Sequence, residues 1–146
     1  MRKVAGFTLL ELLVVAVIST VLVLIALPGY RDHLLRMHRA VARITLLEVI
    51  ARQEQYFIEH HQYADSLIAL GYPASPFALD GEGNVSSSPT APDRVYLIEI
   101  IPLGSAFRLH ARPQLAQTAD TGCGVLSLSS QGVKSASGSH PLTRCW

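Results

Sequence analysis

The stretch FTLLELLVVAVISTVLVLIAL, residues 7–27, determines how the chain is built, because Glu11 is its only charged residue. As one α-helix it would be about 30 Å long at about 1.5 Å per residue, which matches the hydrocarbon thickness of a bilayer. It is too long for an ordinary signal-peptide core, and no small-residue cleavage site follows it. A helix that is apolar on every face is buried in lipid or in a helical bundle. We therefore predict a membrane-spanning helix rather than a secretory peptide that is removed.

The charges around this stretch predict its orientation. Arg2 and Lys3 precede it, and an excess of positive charge marks the cytoplasmic end of a membrane helix. The remainder of the chain would then lie across the membrane, where residues 62–146 hold five basic and six acidic residues. This near-neutral balance argues against a strongly basic nucleic-acid-binding domain, although it leaves room for a local basic patch.

Glu11 needs an explanation, because an ionised group inside hydrocarbon costs roughly 3 kcal/mol on insertion scales. One explanation is local. Thr8 and Glu11 have the spacing of a helix capping box, with Phe7 and Leu12 placed as the hydrophobic staple. The other explanation is a charged partner, since a buried charge is tolerated when it is paired.

The N-terminus supplies a context for that second explanation. The sequence MRKVAG followed by FTLLELLVV resembles the signature of type IV prepilins. In that signature a short basic leader ends in glycine, the next residue is phenylalanine, and an acidic residue follows four positions after the phenylalanine. The resemblance implies that a prepilin peptidase cuts between Gly6 and Phe7 and methylates the new amino group of Phe7. It also implies that Glu11 pairs with the Phe7 amine of a neighbouring subunit during filament assembly. The implied parts are a leader at 1–6, a membrane and filament-core half-helix at 7–29, and a head at 30–146.

The second half of the helix has a different pattern. Proline removes a backbone hydrogen bond, so we predict at Pro28 and Gly29 either a bend or a break at the membrane boundary. From residue 30 to about residue 63, apolar residues recur every three or four positions and predict one stripe that packs on the head: Leu34, Met37, Val41, Ile44, Leu47 and Ile50. For the arginines between residues 31 and 43, we favour a solvated helix face over binding to anionic lipid headgroups.

The C-terminal half carries strand patterns. Runs at 94–101 and 106–112 flank the short sequence PLGS and predict a β-hairpin. Residues alternate between the two faces of a strand, so the second run has a core face and a basic face. The core face carries Phe107, Leu109 and Ala111, and the basic face carries Arg108, His110 and Arg112. Further short strands are predicted at 125–130 and 133–136.

Residues 71–94 connect the helix to these strands. They are rich in glycine, proline and serine and show neither helical nor strand periodicity, so we predict an irregular surface connection. Asp80 and Glu82 lie beside glycines, which is compatible with a calcium loop, but the number of ligands is too small for one.

Three or four antiparallel strands on a long helix make an α+β architecture. In the family that the N-terminus resembles, this is the pilin fold with a disulfide-bounded C-terminal region. Cys123 and Cys145 are the only cysteines, and an even count behind a membrane-targeting segment predicts one disulfide in an oxidising compartment. The alternative is two unrelated buried thiols. The ending CGVLSLSSQGVKSASGSHPLTRCW is similar to that of PilE-type minor pilins and of the competence pilin that recognises DNA uptake sequences.

These resemblances imply a structural subunit of a type IV pilus rather than an enzyme. We predict a minor pilin needed for pilus assembly or priming and for twitching motility. It would span the bacterial inner membrane once and then enter a cell-surface pilus. Its expected partners are other pilins, prepilin peptidase and the inner-membrane assembly platform. No cofactor or metal is expected, because the six histidines have no zinc-ligand spacing.

Two alternatives remain open. A type II secretion pseudopilin is less favoured, because such proteins usually lack this disulfide. A DNA-binding competence pilin that acts as the receptor for DNA uptake would use cations against phosphates and an aromatic ring for stacking. The residues predicted for such contacts are Arg108, His110, Arg112, Lys134 and Arg144, with Trp146 as the ring.

Overall fold

The computed structural model describes residues 8–146, apart from the side chains of residues 26–28. The predicted cleavage point at Gly6 and Phe7, and the Phe7 half of the hydrophobic staple, lie outside the described residues. Helix α1 spans Leu9–His60. At its start, Thr8 Oγ1 accepts a hydrogen bond from the Glu11 amide at 3.2 Å, which confirms the N-cap half of the predicted capping box.

The C-terminal end of α1 comes slightly earlier than predicted. His61 adopts a left-handed backbone with φ of 56°, and this conformation ends the helix after His60 instead of near residue 63. Pro28 and Gly29 both lie within α1, and the bend predicted there stays a prediction. The chain forms two compact units, one ending at Leu34 and one from Leu35 to Trp146. The domain boundaries predicted at 6/7 and 29/30 also stay predictions.

The second unit contains a six-stranded antiparallel sheet. A 3-10 helix at Leu67–Leu70 follows α1, and another at Leu115–Ala119 lies between the fourth and fifth strands. The strands are β1 (Phe77–Asp80), β2 (Val85–Ser86), β3 (Arg94–Leu103), β4 (Ala106–Pro113), β5 (Leu126–Ser129) and β6 (Lys134–Ala136). Their spatial order is β2-β1-β3-β4-β5-β6, and a short helix, α2, ends the chain at Leu142–Cys145.

The predicted hairpin is confirmed as the centre of this sheet. Leu103 pairs with Ala106, so that Gly104 and Ser105 form the two-residue turn between β3 and β4. Gly104 has φ of 69°, the left-handed conformation that such tight turns require and glycine accepts without strain. The predicted strands near 125–130 and 133–136 are present as β5 and β6.

The α+β class is confirmed, but the predicted count of three or four strands is too low. β1 and β2 both lie in the segment 71–94, which was expected to be irregular. They have four and two residues, too few for an alternating pattern to be visible in the sequence. Phe77 and Leu79 become core residues because β1 pairs with β3, which is a long-range contact.

The face of α1 that packs on the sheet also differs from the prediction. The core contains Ala42, Leu46 and Val49 of α1, together with the inner faces of β1, β3, β4 and β5. Of the predicted stripe, Val41 and Ile50 are partly buried, but Ile44 is 66% exposed. This part of α1 has two apolar faces, and the sheet covers the one that carries Ala42, Leu46 and Val49. We call the uncovered face the outer stripe; it consists of the exposed residues Met37, Ile44, Leu47, Ala51 and Ile58 and the half-buried Ala40.

Candidate nucleic-acid interface and C-terminal clasp

Strand β4 presents the three basic residues predicted from its alternation. Phe107, Leu109 and Ala111 are buried on the helix side of the sheet, as predicted. The intervening basic residues therefore lie on the opposite, outward side, where Arg108 and Arg112 are exposed and His110 is half-buried.

Serines extend this surface across the next two strands. Arg108 is opposite Ser129 of β5, and His110 is opposite Ser127, which is itself opposite Ser135 of β6. Directly opposed residues of antiparallel strands point to the same side of the sheet. We call this surface the outer face; it consists of Arg108, His110, Arg112, Ser127, Ser129 and Ser135.

One carboxylate lies beside these basic residues. Glu99 of β3 is directly opposite His110 in the register. Arg112 Nε donates to Glu99 Oε1, and His110 Nδ1 lies 3.4 Å from the same oxygen. Among the ion pairs within residues 8–146, none involves Arg108. On the outer face, Arg112 is therefore paired with Glu99, whereas Arg108 faces solvent.

The other two predicted contact residues are elsewhere. Lys134 is opposite Leu128, so it lies on the helix side of the sheet, away from Arg108. Its Nζ is 5.4 Å from the centre of the Trp146 ring, and the Trp146 indole donates to Ser135 O at 2.8 Å. Arg144 is exposed on α2. The five predicted contact residues therefore do not form one surface.

A buried ion pair joins α1 to the segment before the disulfide. Arg39 donates to both carboxylate oxygens of Asp120, at 2.9 Å and 2.8 Å, and both side chains are almost fully buried. The third nitrogen of Arg39 donates to Arg144 O, and Arg43 donates to Trp146 O. The prediction of a solvated arginine face is therefore wrong for Arg39 and Arg43, because the C-terminal segment covers this side of the helix.

Gln117 connects this pair to the sheet. Its amide donates to the Tyr96 hydroxyl at 3.0 Å and to Leu35 O at 3.2 Å, and its oxygen lies 3.0 Å from His38 Nδ1. Burial raises the pKa of Tyr96 to about 12, partly offset by the hydrogen bond from Gln117. Nothing in the local sequence marks Gln117 and Asp120 as buried, because their partners are about eighty residues away.

The predicted disulfide between Cys123 and Cys145 is present. It joins the loop after the second 3-10 helix to α2. Nearby, Gly138 N donates to Cys123 O at 3.0 Å and His140 N donates to Gly122 O at 2.7 Å. A methyl group on Gly138 would overlap the Gly122 carbonyl, so these two backbone segments approach as closely as glycine permits. We call the disulfide, these two hydrogen bonds and the Arg39–Asp120 pair the C-terminal clasp.

Asp80 organises the turn between β1 and β2. Its Oδ1 accepts from the amides of Glu82 and Asn84, and its Oδ2 accepts from the Asn84 side chain. Burial raises the pKa of Asp80, but these hydrogen bonds outweigh it and hold the pKa below its usual value. The carboxylate thus has a structural role in the turn. Within the described part of the chain, no cluster of three metal-ligating side chains occurs.

Comparison with known proteins gives two family matches. The model described as type IV minor pilin ComP, DNA uptake sequence receptor, matches residues 28–127. The model of the prokaryotic N-terminal methylation motif matches residues 1–27. Together they cover most of the chain, and neither is a catalytic family.

One similar protein is the type IV wide pilus major component PilA4 of Thermus thermophilus. It is 33% identical over 79 residues, which are 52% of this chain and 60% of that protein. The chain therefore spans less than two thirds of the length of this relative.

Proposed function

Because the chain belongs to the type IV minor pilin family, we propose that it is a structural subunit that enters a type IV pilus through helix α1. The leader at 1–6 would be removed by prepilin peptidase, and Phe7 would be methylated. Before assembly, the subunit would be anchored in the inner membrane, where it would contact the assembly platform. It would then join other pilins in a cell-surface pilus. Its role would be to help prime assembly, with twitching motility as the consequence.

The observation that carries this proposal is the exposed apolar surface of α1. Its N-terminal part contains an 18-residue window apolar enough to cross a membrane, and none of that window is buried within the chain. In the second unit, the outer stripe is also uncovered, with Ile58 75% exposed. Exposed apolar surface of this extent requires lipid or protein partners. Lipid before assembly and neighbouring helices afterwards would meet that requirement in turn.

Glu11 supplies the test of assembly. In Glu11→Gln the backbone amide that donates to Thr8 remains, so the helix start is retained while the charge is lost. We expect normal amounts of this variant in the membrane but little of it in sheared pili, because the partner for the Phe7 amine of a neighbouring subunit is missing. Immunoblots of both fractions measure the effect.

Glu59→Gln is the matched control, because it removes the same charge from an exposed position at the other end of α1.

Mass spectrometry of the pilus fraction should show a chain that begins at methylated Phe7. Normal incorporation of Glu11→Gln would refute the pairing role. An intact N-terminus in cells with active peptidase would refute processing.

A second function, DNA reception, is supported by the outer face and by the description of the matching family. Arginines and serine hydroxyls are common donors to phosphate oxygens. We propose that the outer face contacts the DNA backbone, while Lys134, Arg144 and Trp146 would make a separate contact. Fluorescence anisotropy with the full chain in detergent micelles and a labelled duplex tests this. Binding that weakens steeply with salt is expected, and no binding at low salt would refute it.

A further inference from the structure

We infer that Glu99 limits DNA binding by the outer face, because it holds Arg112 in an ion pair that phosphate must displace. This inference rests on the proposed DNA-receptor function. It concerns the strength of binding rather than its existence. It assigns to Glu99 a role that the basic residues alone do not suggest.

Glu99 is placed to act on the whole basic surface. Among the outward-facing residues of strands β3 to β6, it is the only acid, and the others are apolar, basic or serine. Its Oε1 accepts from Arg112 and lies near His110 Nδ1, so one oxygen faces two of the three basic side chains. A DNA phosphate brought to this surface would meet Arg108 directly but would meet Arg112 already paired.

The ion pair is accessible to a competitor. The side chains of Arg112 and Glu99 are 49% and 27% exposed. Pairs this exposed are weak, because water screens both charges. Arg112 also retains guanidinium donors besides the Nε that Glu99 accepts from, so a phosphate is able to share the side chain or displace Glu99. Glu99 therefore weakens binding without preventing it.

The same surface indicates what part of DNA is contacted. The outward residues of β4, β5 and β6 include no phenylalanine, tyrosine or tryptophan, and the His110 imidazole is half-buried beside Glu99. Guanidinium groups and hydroxyls bind phosphate oxygens, and such contacts carry no sequence information directly. The effect of Glu99 is therefore expected to be the same for duplexes of different sequence.

The variant that tests this is Glu99→Gln, whose amide oxygen still accepts a hydrogen bond from Arg112 but carries no charge. We expect about fivefold tighter binding, the size expected in water when the freed positive charge of Arg112 pairs with one phosphate. Freeing Arg112 for a phosphate should also make the slope of log K against log salt steeper by about 0.9. Both are measured by anisotropy with the full chain in micelles.

Glu82→Gln is the control with the same change in net charge, because Glu82 is exposed in the turn between β1 and β2. It should leave the affinity and the salt slope close to those of wild type. Arg112→Gln should weaken binding, and the gain from Glu99→Gln should disappear in the Glu99→Gln/Arg112→Gln double variant. Thermal unfolding and disulfide content establish that each variant is folded.

The outcomes separate this inference from the function on which it rests. If neither wild type nor Glu99→Gln binds DNA at low salt, the DNA-receptor function is wrong. If wild type binds and Glu99→Gln binds no tighter than Glu82→Gln, the function stands and the role of Glu99 is refuted. If the gain persists without Arg112, Glu99 acts on DNA through its own charge, and the ion-pair mechanism is refuted.

Discussion

At the scale of single residues, the Arg39–Asp120 pair is a buried contact whose loss is expected to lower stability strongly. Taking two charges out of water is costly, and the pair is tolerated because both carboxylate oxygens accept from the guanidinium. The remaining donor of Arg39 reaches Arg144 O, so the guanidinium has partners in two separate segments of the chain. The pair thereby connects α1 to the C-terminal segment.

Asp120→Ala tests this role. It leaves the Arg39 guanidinium buried without its carboxylate, so we expect the free energy of unfolding to fall by about 3–5 kcal/mol. Urea denaturation of the full chain in micelles, followed by circular dichroism, measures the change. The control Asp93→Ala removes an exposed carboxylate and should change stability by less than about 0.5 kcal/mol.

Replacing both partners provides a second check. In Arg39→Met/Asp120→Leu no charge is left unpaired, so this variant should lose less stability than Asp120→Ala alone. A loss below about 1 kcal/mol in Asp120→Ala would show that the pair contributes as little as an exposed one.

At the scale of elements, helix α1 has two apolar faces in the second unit. The sheet covers the face that carries Ala42, Leu46 and Val49. From Met37 to Ala51, the residues of the outer stripe follow the alternating three- and four-residue spacing with which helices pack against one another. This spacing suits a helix of a neighbouring subunit as the covering partner.

Ile44→Glu combined with Leu47→Glu tests that contact. A carboxylate forced into a helix–helix interface without a partner is strongly unfavourable, so we expect at least about a tenfold drop in the amount recovered in pili. The membrane-bound amount and the disulfide should stay normal, because both positions are exposed in the subunit. Ile68→Glu, at a similarly exposed apolar residue outside α1, is the control. Unchanged recovery of the double variant would exclude the outer stripe from the filament contact.

At the scale of the whole molecule, the sheet, α1 and the C-terminal clasp are joined through one buried polar network. Gln117 contacts the Tyr96 hydroxyl, Leu35 O and His38, and it adjoins Asp120. Tyr96 is fully buried, and its hydroxyl is therefore expected to ionise only when the whole unit opens. The free energy of unfolding of this unit should therefore depend on pH in the alkaline range.

The direction of the coupling follows from the pKa. Tyr96 has a pKa of about 12 in the folded chain, above the usual value of about 10, so the folded state keeps a proton that the unfolded state loses. Its contribution to stability is fully present below pH 10 and is lost as the pH rises through about 12. Tyr72, whose pKa burial also raises to about 12, adds to the effect.

We therefore expect the stability of wild type to fall between pH 10 and pH 12, and to fall less steeply in Tyr96→Phe. Urea midpoints at a series of pH values measure this slope. Tyr72→Phe should reduce the slope in a similar way, and the double variant should reduce it further. Equal slopes in wild type and both single variants would show that neither tyrosine governs the alkaline transition.

Much of the molecule was predictable from local sequence. The apolar stretch 7–27 predicted a helix that must be buried in lipid or against other helices, because every face of it is apolar. The alternation in β4 predicted its inner and outer faces, because successive strand residues point to opposite sides. The hairpin and the Cys123–Cys145 bridge were also predicted correctly, although β3 continues to Leu103 and shortens the predicted four-residue connection to Gly104 and Ser105.

Other features depended on partners far away in the chain. Three of them were not predicted from the sequence. These are the apolar face of α1 that is buried, the two short strands β1 and β2, and the burial of Arg39. On the outer face, the alternation in β4 predicted that Arg108 and Arg112 lie on the same side of the sheet. The position of Glu99 beside Arg112 depends on the pairing of β3 with β4, which the alternation does not predict. A sequence determines local periodicity, and hence which segments form helices and strands. The tertiary structure decides which surfaces are covered and which charges meet, because these depend on contacts between residues that the sequence separates.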